Sequence, residues 1–202
     1  MTARRWVVCG NAVSGCALVP AGNPHGEKDK RGRNVEISEA IEQCRKSGRT
    51  GVALVEVAQA LVSSTMMYSY SNSFDLPSRA FRRGRGYCWH QASTLNRILN
   101  GLGLESRLVY ATRNRIPEKR VGDHTVQEHV SGHVWCRVRC DGLEGDVCPG
   151  NATNRFGQVH FEPLSRVRNW NGFVCFFSYW GSAWVNWRRR RRMEYDREER
   201  QS

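Results

Sequence analysis

The sequence predicts a fold of the α+β class, in which helices precede an antiparallel sheet. Two observations carry this prediction. Between Ser38 and Leu102, apolar residues recur three or four positions apart, which is helical spacing. From 107 to 161 the chain instead carries short apolar or alternating runs separated by turn residues, which is typical of strands. Helical segments followed by consecutive strands indicate an α+β domain.

Three helical segments are predicted in the first half of the chain. Ser38 is the expected N-cap of the first helix, which Ser47-Gly48 ends. A second apolar segment with roughly helical spacing runs over 52–61. The third helix starts at Cys88, and we expect a left-handed C-terminal cap at Gly101. Its apolar stripe consists of Ala92, Leu95, Leu99 and Leu102.

The strands are predicted from 107 onward. The turn signal Asp141-Gly142 separates a strand that begins at His133 from one that begins near Asp146. The predicted strands lie at 107–112, 133–140, from 146 to 148, and near 157–161 and 173–179.

Length and composition favour one domain with extra segments. The chain has 202 residues and a hydrophobic fraction of 40%, which is enough for a core and excludes global disorder. We expect an N-terminal segment and linker at 1–34, a domain at 35–187 and a charged tail at 188–202. The apolar stretch 173–187 is too short and too polar for a transmembrane helix.

The charge balance favours anionic partners. Lys and Arg number 31 against 19 Asp and Glu, for a formal net charge of +12, so nucleic acid, an acidic protein or a membrane surface are the expected classes. The tail carries a candidate polyanion-binding arm, although no nucleic-acid recognition motif accompanies it. A solvated terminal helix is the alternative, because Glu194 neighbours arginines at helical spacing. The arm consists of Arg188, Arg189, Arg190, Arg191 and Arg192.

The eight cysteines are spaced irregularly, and Cys9, Cys136 and Cys175 lie inside apolar runs. This pattern predicts buried free thiols and hence a reducing, cytoplasmic location. The alternative is export, since Val13-Ser14-Gly15-Cys16 resembles a bacterial lipoprotein cleavage site.

Cys88 has the setting of a nucleophile. It follows a loop rich in Gly and Arg, at 82–86, and it begins the third helix. A helix N-terminus presents free backbone N–H groups and about half a positive charge, which favour a thiolate. We therefore expect a lowered pKa at Cys88, with the same N–H groups holding an oxyanion.

A thiol nucleophile also needs a base and a group that orients the base. His133 is the candidate base, and Asp146 on the following strand is the candidate orienting carboxylate. An ideal two-residue hairpin would set Asp146 opposite Arg137, roughly 13 Å along the strand from His133, so the triad requires a longer loop or a bulge. The neighbouring candidates for oxyanion or substrate contacts are Trp89, Gln91 and Trp135.

Three motifs together resemble the transglutaminases. Gly86-Tyr87-Cys88-Trp89 is similar to their Gly-x-Cys-Trp nucleophile segment, and Gly132-His133-Val134-Trp135 to their His-Val-Trp. Asp146-Val147-Cys148-Pro149 is similar to the Asp-x-x-Pro around the family's aspartate. The resemblance covers about 52–149. It implies a papain-like fold and a Cys-His-Asp triad that acts on protein, peptide or small amide substrates through a thioester, without a cofactor.

Other interpretations stay open. A zinc site would draw on His133, Cys136, Cys140 and Cys148, but Cys136 and Cys140 on one strand stand roughly 13 Å apart. The aromatic residues between 170 and 187 favour a core strand over a base-stacking surface. Cys88 as a structural thiol is the simpler alternative to a nucleophile.

Two functions follow. The first is cysteine-dependent acyl transfer or amide hydrolysis, with water or an amine resolving the thioester. The second is a non-catalytic basic module on the same fold that binds nucleic acid or another polyanion.

Overall fold

The computed structural model describes residues 36–70, 73–121, 124–177, 180–181, 184 and 187–188. All of them belong to the second of the two units into which the chain divides, Asn34–Ser202. The predictions for the N-terminal segment, including Cys16, and for Arg189 to Arg192 lie outside the described residues.

Four helices precede the sheet: α1 (Ile37–Lys46), α2 (Gly51–Thr65), α3 (Pro77–Arg82) and α4 (Cys88–Gly101). The first begins with Glu36 as N-cap in a capping box with Glu39, and not at Ser38 as predicted. The third was not predicted. Its Pro77 occupies the first helical position, where a missing N–H leaves no bond unmade.

Helix α4 lies at the centre of the fold. It packs against the other three helices and against the two longest strands of the sheet. Of its predicted apolar stripe, Ala92, Leu95 and Leu99 are buried and Leu102 is half-buried. The stripe is therefore confirmed as the face that joins the helices to the sheet.

The C-terminal cap of α4 lies two residues later than predicted. Gly103 has the positive φ, 83°, and the N–H of Leu104 donates to the carbonyl of Leu99 at 3.0 Å. This is the Schellman arrangement. Gly101 is a helical residue instead, and its lack of a side chain matters for packing: a Cβ there would lie 2.4 Å from Cδ1 of Ile41.

The main sheet is antiparallel and runs in the order β7-β6-β3-β8, with β9 also paired to β3. A short parallel pair, β1 and β2, precedes α4, and a short antiparallel pair, β4 and β5, lies between β3 and β6. The bounds are β1 Met67–Tyr68, β2 Arg85–Gly86, β3 Glu105–Ile116, β4 Lys119–Val121, β5 His124–Val126, β6 His129–Cys140, β7 Leu143–Val147, β8 Glu162–Pro163 and β9 Arg168–Asn169.

The turn between β6 and β7 lies at Asp141-Gly142 as predicted, and it is a two-residue hairpin, not the longer loop that a triad with Asp146 requires. Asp141 and Gly142 have φ of 52° and 75°, and the pairing begins directly at Cys140 with Leu143. This tight turn sets the register of the whole β6–β7 ladder, so Asp146 lies opposite Arg137.

The sheet buries both of its faces. One face packs on the helices through Val134, Cys136 and Val138. A smaller cluster on the other side contains Val109, Ala111, Trp135, Cys148 and Phe161. Alternate residues of β6 therefore serve two separate apolar clusters.

Two predictions for the C-terminal part are wrong. Residues 157–161 carry only one end of an isolated bridge, Arg155 with Gln158, and the short strand β8 follows them. Residues 172–177 are helical, not a strand. Closely spaced apolar residues occur in buried strands and in helices, so this pattern alone does not distinguish the two.

The C-terminal aromatic residues do not form a core strand. Trp170 packs half-buried against Tyr110, with ring centroids 5.6 Å apart. Six others are 52% to 73% exposed: Phe173, Phe176, Phe177, Trp180, Trp184 and Trp187. Among the described helices, none is long and apolar enough to cross a membrane.

The cysteines of the described part of the chain are free. Cys44, Cys136, Cys140 and Cys148 are buried, whereas Cys88 and Cys175 are partly exposed. Cys136 is thus a buried thiol as predicted, and Cys175 is only partly so.

Candidate active site

Cys88 is the first residue of α4, with Tyr87 as the N-cap. Its sulfur lies against β6, where the backbone of Val134, the residue after His133, lowers the pKa of the thiol. The backbone of Trp89 and of Cys88 itself and the hydroxyl of Tyr68 act in the same direction. Two of these four contributions come from the start of α4, and the other two come from β6 and β1.

The expected low pKa of Cys88 is wrong for this structure. Burial raises the pKa of the thiol and outweighs the hydrogen bonds that lower it. The helix N-terminus stabilises a thiolate only in part, because desolvation penalises the charged form when protein replaces water around it.

Tyr68 reaches Cys88 through the pairing of β1 with β2. Tyr68 lies opposite Gly86, two residues before the cysteine, and its hydroxyl donates to the hydroxyl of Tyr70 at 2.9 Å. The residue is 53% exposed, and its partial burial raises the pKa of Tyr68. It therefore stays a neutral O–H donor at physiological pH.

His133 is buried, 7% exposed, between aromatic rings. Trp135 stacks with it at a centroid distance of 6.2 Å, and Phe161 meets it edge-on at 4.6 Å. Burial, with a smaller contribution from His160, lowers the pKa of His133 to about 3. The imidazole is thus neutral over the physiological range.

The group at Nε2 of His133 is a thiol. Sγ of Cys148 lies 3.3 Å from Nε2, and Cys148 is itself buried. The backbone N–H of Gly150 points to the same sulfur at 3.4 Å. The Asn154 amide donates to the carbonyl of Cys148 at 2.7 Å and lies 3.0 Å from Nδ1 of His160.

Asp146 does not lie beside His133. The register pairs it with Arg137, and the two side chains form a bidentate ion pair at 2.8 and 3.1 Å. The longer loop or bulge that the predicted triad required between β6 and β7 is absent, because the turn has only two residues. The structure therefore brings Cys88 to the strand of His133 but leaves Asp146 further along it.

The three flanking candidates have different surroundings. Trp89 is half-buried against Tyr87 and His90. Gln91 is buried, and its amide donates to the carbonyl of Met66 at 3.0 Å, which fixes the chain just before β1. Trp135 is fully buried and packs against His133.

Two residues of this site were missed in the sequence. Tyr68 lies in a polar stretch with no motif of its own, and only strand pairing brings it to Cys88. Cys148 was counted among zinc candidates, although the hairpin register itself predicts that it lies two residues nearer to His133 than Asp146 does. Within the described residues, no group of three or more His, Cys, Asp or Glu side chains is placed to hold a metal ion.

Comparison with known families decides the assignment. The sequence model of the transglutaminase-like superfamily matches residues 39–144, just over half of the chain. The chain belongs to the transglutaminase-like superfamily. The match includes Cys88 and His133, whereas Asp146 and Cys148 lie beyond its end. No curated protein matches this transglutaminase-like chain significantly.

Three solved structures resemble the transglutaminase-like chain at low identity. A transglutaminase (TGase) is 17% identical with a TM-score of 0.43, covering 58% of this chain and 31% of its own. A proposed cysteine protease from Cytophaga hutchinsonii is 10% identical (TM-score 0.43; 69% and 50% covered). A proposed protease from Parabacteroides distasonis is 14% identical (0.39; 70% and 28%). The chain spans half or less of these proteins.

Proposed function

We propose that this protein is a cysteine-dependent enzyme that forms a thioester from a carboxamide or peptide substrate. Cys88 is the nucleophile and His133 is the base. The observation that carries the proposal is the position of Cys88, which is the first residue of α4 and lies beside Val134, the residue after His133. The free backbone N–H groups of a helix start stabilise negative charge on a thiolate or an oxyanion.

The proposed reaction starts from neutral groups. Burial raises the pKa of Cys88 and lowers that of His133, so the resting pair is a thiol and a neutral imidazole. His133 takes the thiol proton as the sulfur attacks the carbonyl carbon. The C–N bond then breaks, His133 gives the proton to the leaving amine, and an acyl thioester remains on Cys88.

The oxyanion that forms in the attack needs donors near Cys88. The backbone N–H groups at the start of α4 supply one set. The Tyr68 hydroxyl, which donates to Tyr70 at rest, supplies a side-chain donor when it turns toward the oxyanion. Burial keeps Tyr68 protonated, so it donates over the whole working pH range. We assign it the role of oxyanion donor.

Water or an amine then attacks the thioester and restores the Cys88 thiol. Water gives hydrolysis, as in a peptidase or amidase, and a primary amine gives acyl transfer. Both outcomes use the same first half-reaction, so the enzyme class is tested at the thioester and the subclass at the second step.

The test is turnover of peptides that carry side-chain carboxamides, with release of ammonia and incorporation of a fluorescent primary amine measured in parallel. Cys88→Ser is expected to lose at least about 10³-fold in kcat. Cys175→Ser is the matched control, since Cys175 is also partly exposed and lies outside the site. Turnover that survives Cys88→Ser contradicts the proposal, as does equal loss in the control.

A second variant in the same assay tests the role of His133. His133→Gln removes the base while it keeps a polar side chain of similar length. We expect a loss comparable to that of Cys88→Ser, and a double variant that is no worse than either single one. Additive losses would mean that the two residues do not act as one unit.

A second function is supported by the exposed aromatic residues near the C-terminus. At helical spacing they fall on one side, and no charged residue occurs from Asn171 to Trp187. Arg188 then stacks over Trp184 at 5.3 Å and begins the run of five arginines. We propose that this aromatic and basic surface binds a polyanion, with an anionic lipid bilayer as the favoured partner, because tryptophan and arginine together suit its interface.

Sedimentation of the full chain with phosphatidylserine vesicles tests this second function. Binding is expected to exceed that to phosphatidylcholine vesicles and to fall with salt. Trp180→Ser with Trp184→Ser, and serine at the five arginines, should each weaken it, whereas Cys88→Ser should not. Binding to a single-stranded oligonucleotide but not to vesicles would assign the surface to nucleic acid instead.

A further inference from the structure

We infer that Cys148 is the positioning residue of His133, in the place that the sequence had assigned to Asp146. The inference rests on the proposed function, in which His133 is the base. It adds that the third member of the site is a neutral thiol and not a carboxylate.

The contact between the two side chains is direct and shielded from solvent. Sγ of Cys148 lies 3.3 Å from Nε2 of His133, and the residues are 2% and 7% exposed. Trp135 and Phe161 cover the imidazole ring on other sides. The aromatic contacts limit the tilt of the ring, and the sulfur is the polar partner that selects which nitrogen carries the proton.

Cys148 is held firmly enough to act in this way. It follows β7 directly and precedes Pro149 and Gly150. The Gly150 N–H approaches the sulfur at 3.4 Å, and the Asn154 amide fixes the Cys148 carbonyl at 2.7 Å. A Cβ at Gly150 would stand 3.4 Å from the sulfur, an ordinary van der Waals distance, so the loop runs close beside it.

The register excludes Asp146 from the same task. The two-residue turn fixes Asp146 opposite Arg137, and both oxygens of its carboxylate are engaged by that guanidinium at 2.8 and 3.1 Å. Moving Asp146 to His133 would require breaking this ion pair and shifting β7 by two residues. Such a shift would undo the β6–β7 ladder.

The chemistry of a thiol at Nε2 differs from that of a carboxylate. If Nε2–H donates to the sulfur, Nδ1 keeps its lone pair and can accept the proton of the nucleophile. A neutral sulfur supplies the orientation but little of the charge that stabilises an imidazolium. The site is therefore expected to run with a weakly basic His133, and a carboxylate in place of Cys148 should make that histidine more basic.

Among the described residues, few titratable groups lie around His133. Cys148 faces its Nε2, His160 lies with its ring centroid 6.2 Å away, and the Cys88 thiol lies against the next residue of the strand. Arg137 and Asp146 stand four and more positions along the hairpin and neutralise each other. A change in the titration of His133 upon substitution of Cys148 thus has few other sources.

The experiment is an NMR titration of His133 in the full chain with labelled histidine, on wild type, Cys148→Asp, Cys148→Ala, Cys148→Ser and Asp146→Asn. Cys148→Asp is expected to raise the pKa of His133 by about one to three pH units. Cys148→Ala should change the tautomer seen in the ring nitrogen shifts, and Cys148→Ser should restore it. Asp146→Asn should leave both unchanged.

Kinetics provides the second readout. In Cys148→Ala we expect kcat to fall with KM little changed, and in Cys148→Asp we expect the acidic limb of the pH profile to move up with the His133 pKa. If Cys148→Asp does not fold, the comparison of Cys148→Ala with Cys148→Ser still tests the role of Cys148. An unchanged tautomer in Cys148→Ala, or a response of His133 to Asp146→Asn, would overturn the inference.

The two levels of proposal fail differently. The NMR readout needs no turnover, so it reports on the His133–Cys148 pair even if Cys88→Ser shows that the protein has another function. Conversely, Cys88→Ser could abolish activity while the titration of His133 stays the same upon substitution of Cys148. The proposed enzyme function would then stand, and Cys148 would have no role in positioning His133.

Discussion

At the scale of single residues, burial decides the state of the site more than sequence position does. Cys88 begins a helix, which favours a thiolate, yet desolvation raises its pKa. His133 lies among aromatic rings, and the same effect lowers its pKa to about 3. Because both shifts oppose charge, the resting site is uncharged.

The first prediction concerns alkylation of Cys88. Since burial raises its pKa, folded Cys88 should react with iodoacetamide at pH 7 more slowly than the same cysteine in urea, and its rate should climb in the alkaline range. Mass spectrometry of the Cys88 peptide measures both rates. Fast labelling below pH 7 would instead indicate a preformed thiolate–imidazolium pair and contradict the neutral resting state.

The second prediction is a pH dependence of stability from His133. Its pKa in the folded chain is about 3, against an ordinary value of 6.5, so the unfolded chain binds the proton first as pH falls. The free energy of unfolding should therefore decline between pH 6.5 and 3, with a limiting slope of about 1.4 kcal/mol per pH unit from this group, and be flat above.

Urea unfolding at several pH values, on wild type and His133→Phe, measures this contribution. His90, whose pKa burial also lowers, is present in both proteins and cancels in the difference. If the free energy of unfolding declines equally in wild type and variant, His133 takes up its proton at the same pH in the folded and the unfolded chain, and the prediction is wrong.

At the scale of secondary structure elements, short pairings place the reactive groups. The two-residue strands β1 and β2 bring Tyr68 to Cys88, and this requires a close approach at Gly86. A Cβ on Gly86 would lie 2.5 Å from Cβ of His90 in α4. Glycine is therefore needed where β2 crosses the start of the helix.

The third prediction follows from that contact. Gly86→Ala should lower the free energy of unfolding by about 1–3 kcal/mol, because α4 or β2 must shift, and it should lower kcat as Tyr68 moves from Cys88. Denaturant unfolding and turnover measure the two effects. Gly172→Ala is the control, since its Cβ would meet no atom within 4 Å, and it should cost no stability. Equal stability of the two variants would contradict the packing at Gly86.

The β6–β7 hairpin shows how one turn determines which residue meets the histidine. The turn has only two residues, both at positive φ, so Cys140 pairs directly with Leu143. This first pair sets every other pair of the ladder. The ion pair of Arg137 with Asp146 is a consequence of that register. Cys148 then falls beside His133 because it lies beyond the end of the ladder.

At the scale of the whole molecule, the described part of the chain is held by packing and contains no cross-link between its cysteines. Helix α4 joins the other helices to the sheet through one large apolar cluster. All six described cysteines are free thiols, four of them buried. Stability should then depend on burial of apolar surface and not on redox conditions.

The fourth prediction tests this dependence. Dithiothreitol should leave the thermal unfolding midpoint unchanged, and titration of thiols in denaturant without reductant should give at least six per chain. Calorimetry and a colorimetric thiol assay measure these quantities. A midpoint that falls upon reduction, together with fewer than six titratable thiols, would reveal a disulfide that involves at least one of these cysteines.

Much of the fold could be predicted from the sequence, because it depends on patterns among residues that are close together in the chain. The stripe on α4, the strands β3 and β6 and the turn at Asp141-Gly142 all follow from periodicity and turn chemistry. The helical segment 172–177 was mistaken for a strand because closely spaced aromatic residues fit both periods. The exposure of this segment could not be predicted from its composition.

The sequence alone determined the α+β class, the family and the positions of Cys88 and His133, since each depends on residues close together in the chain. Tertiary structure decided three further features. It placed Tyr68 beside Cys88, it raised the pKa of Cys88 through burial, and it set Cys148 rather than Asp146 at Nε2 of His133. These features depend on strand register and desolvation, which arise only when distant segments pack together.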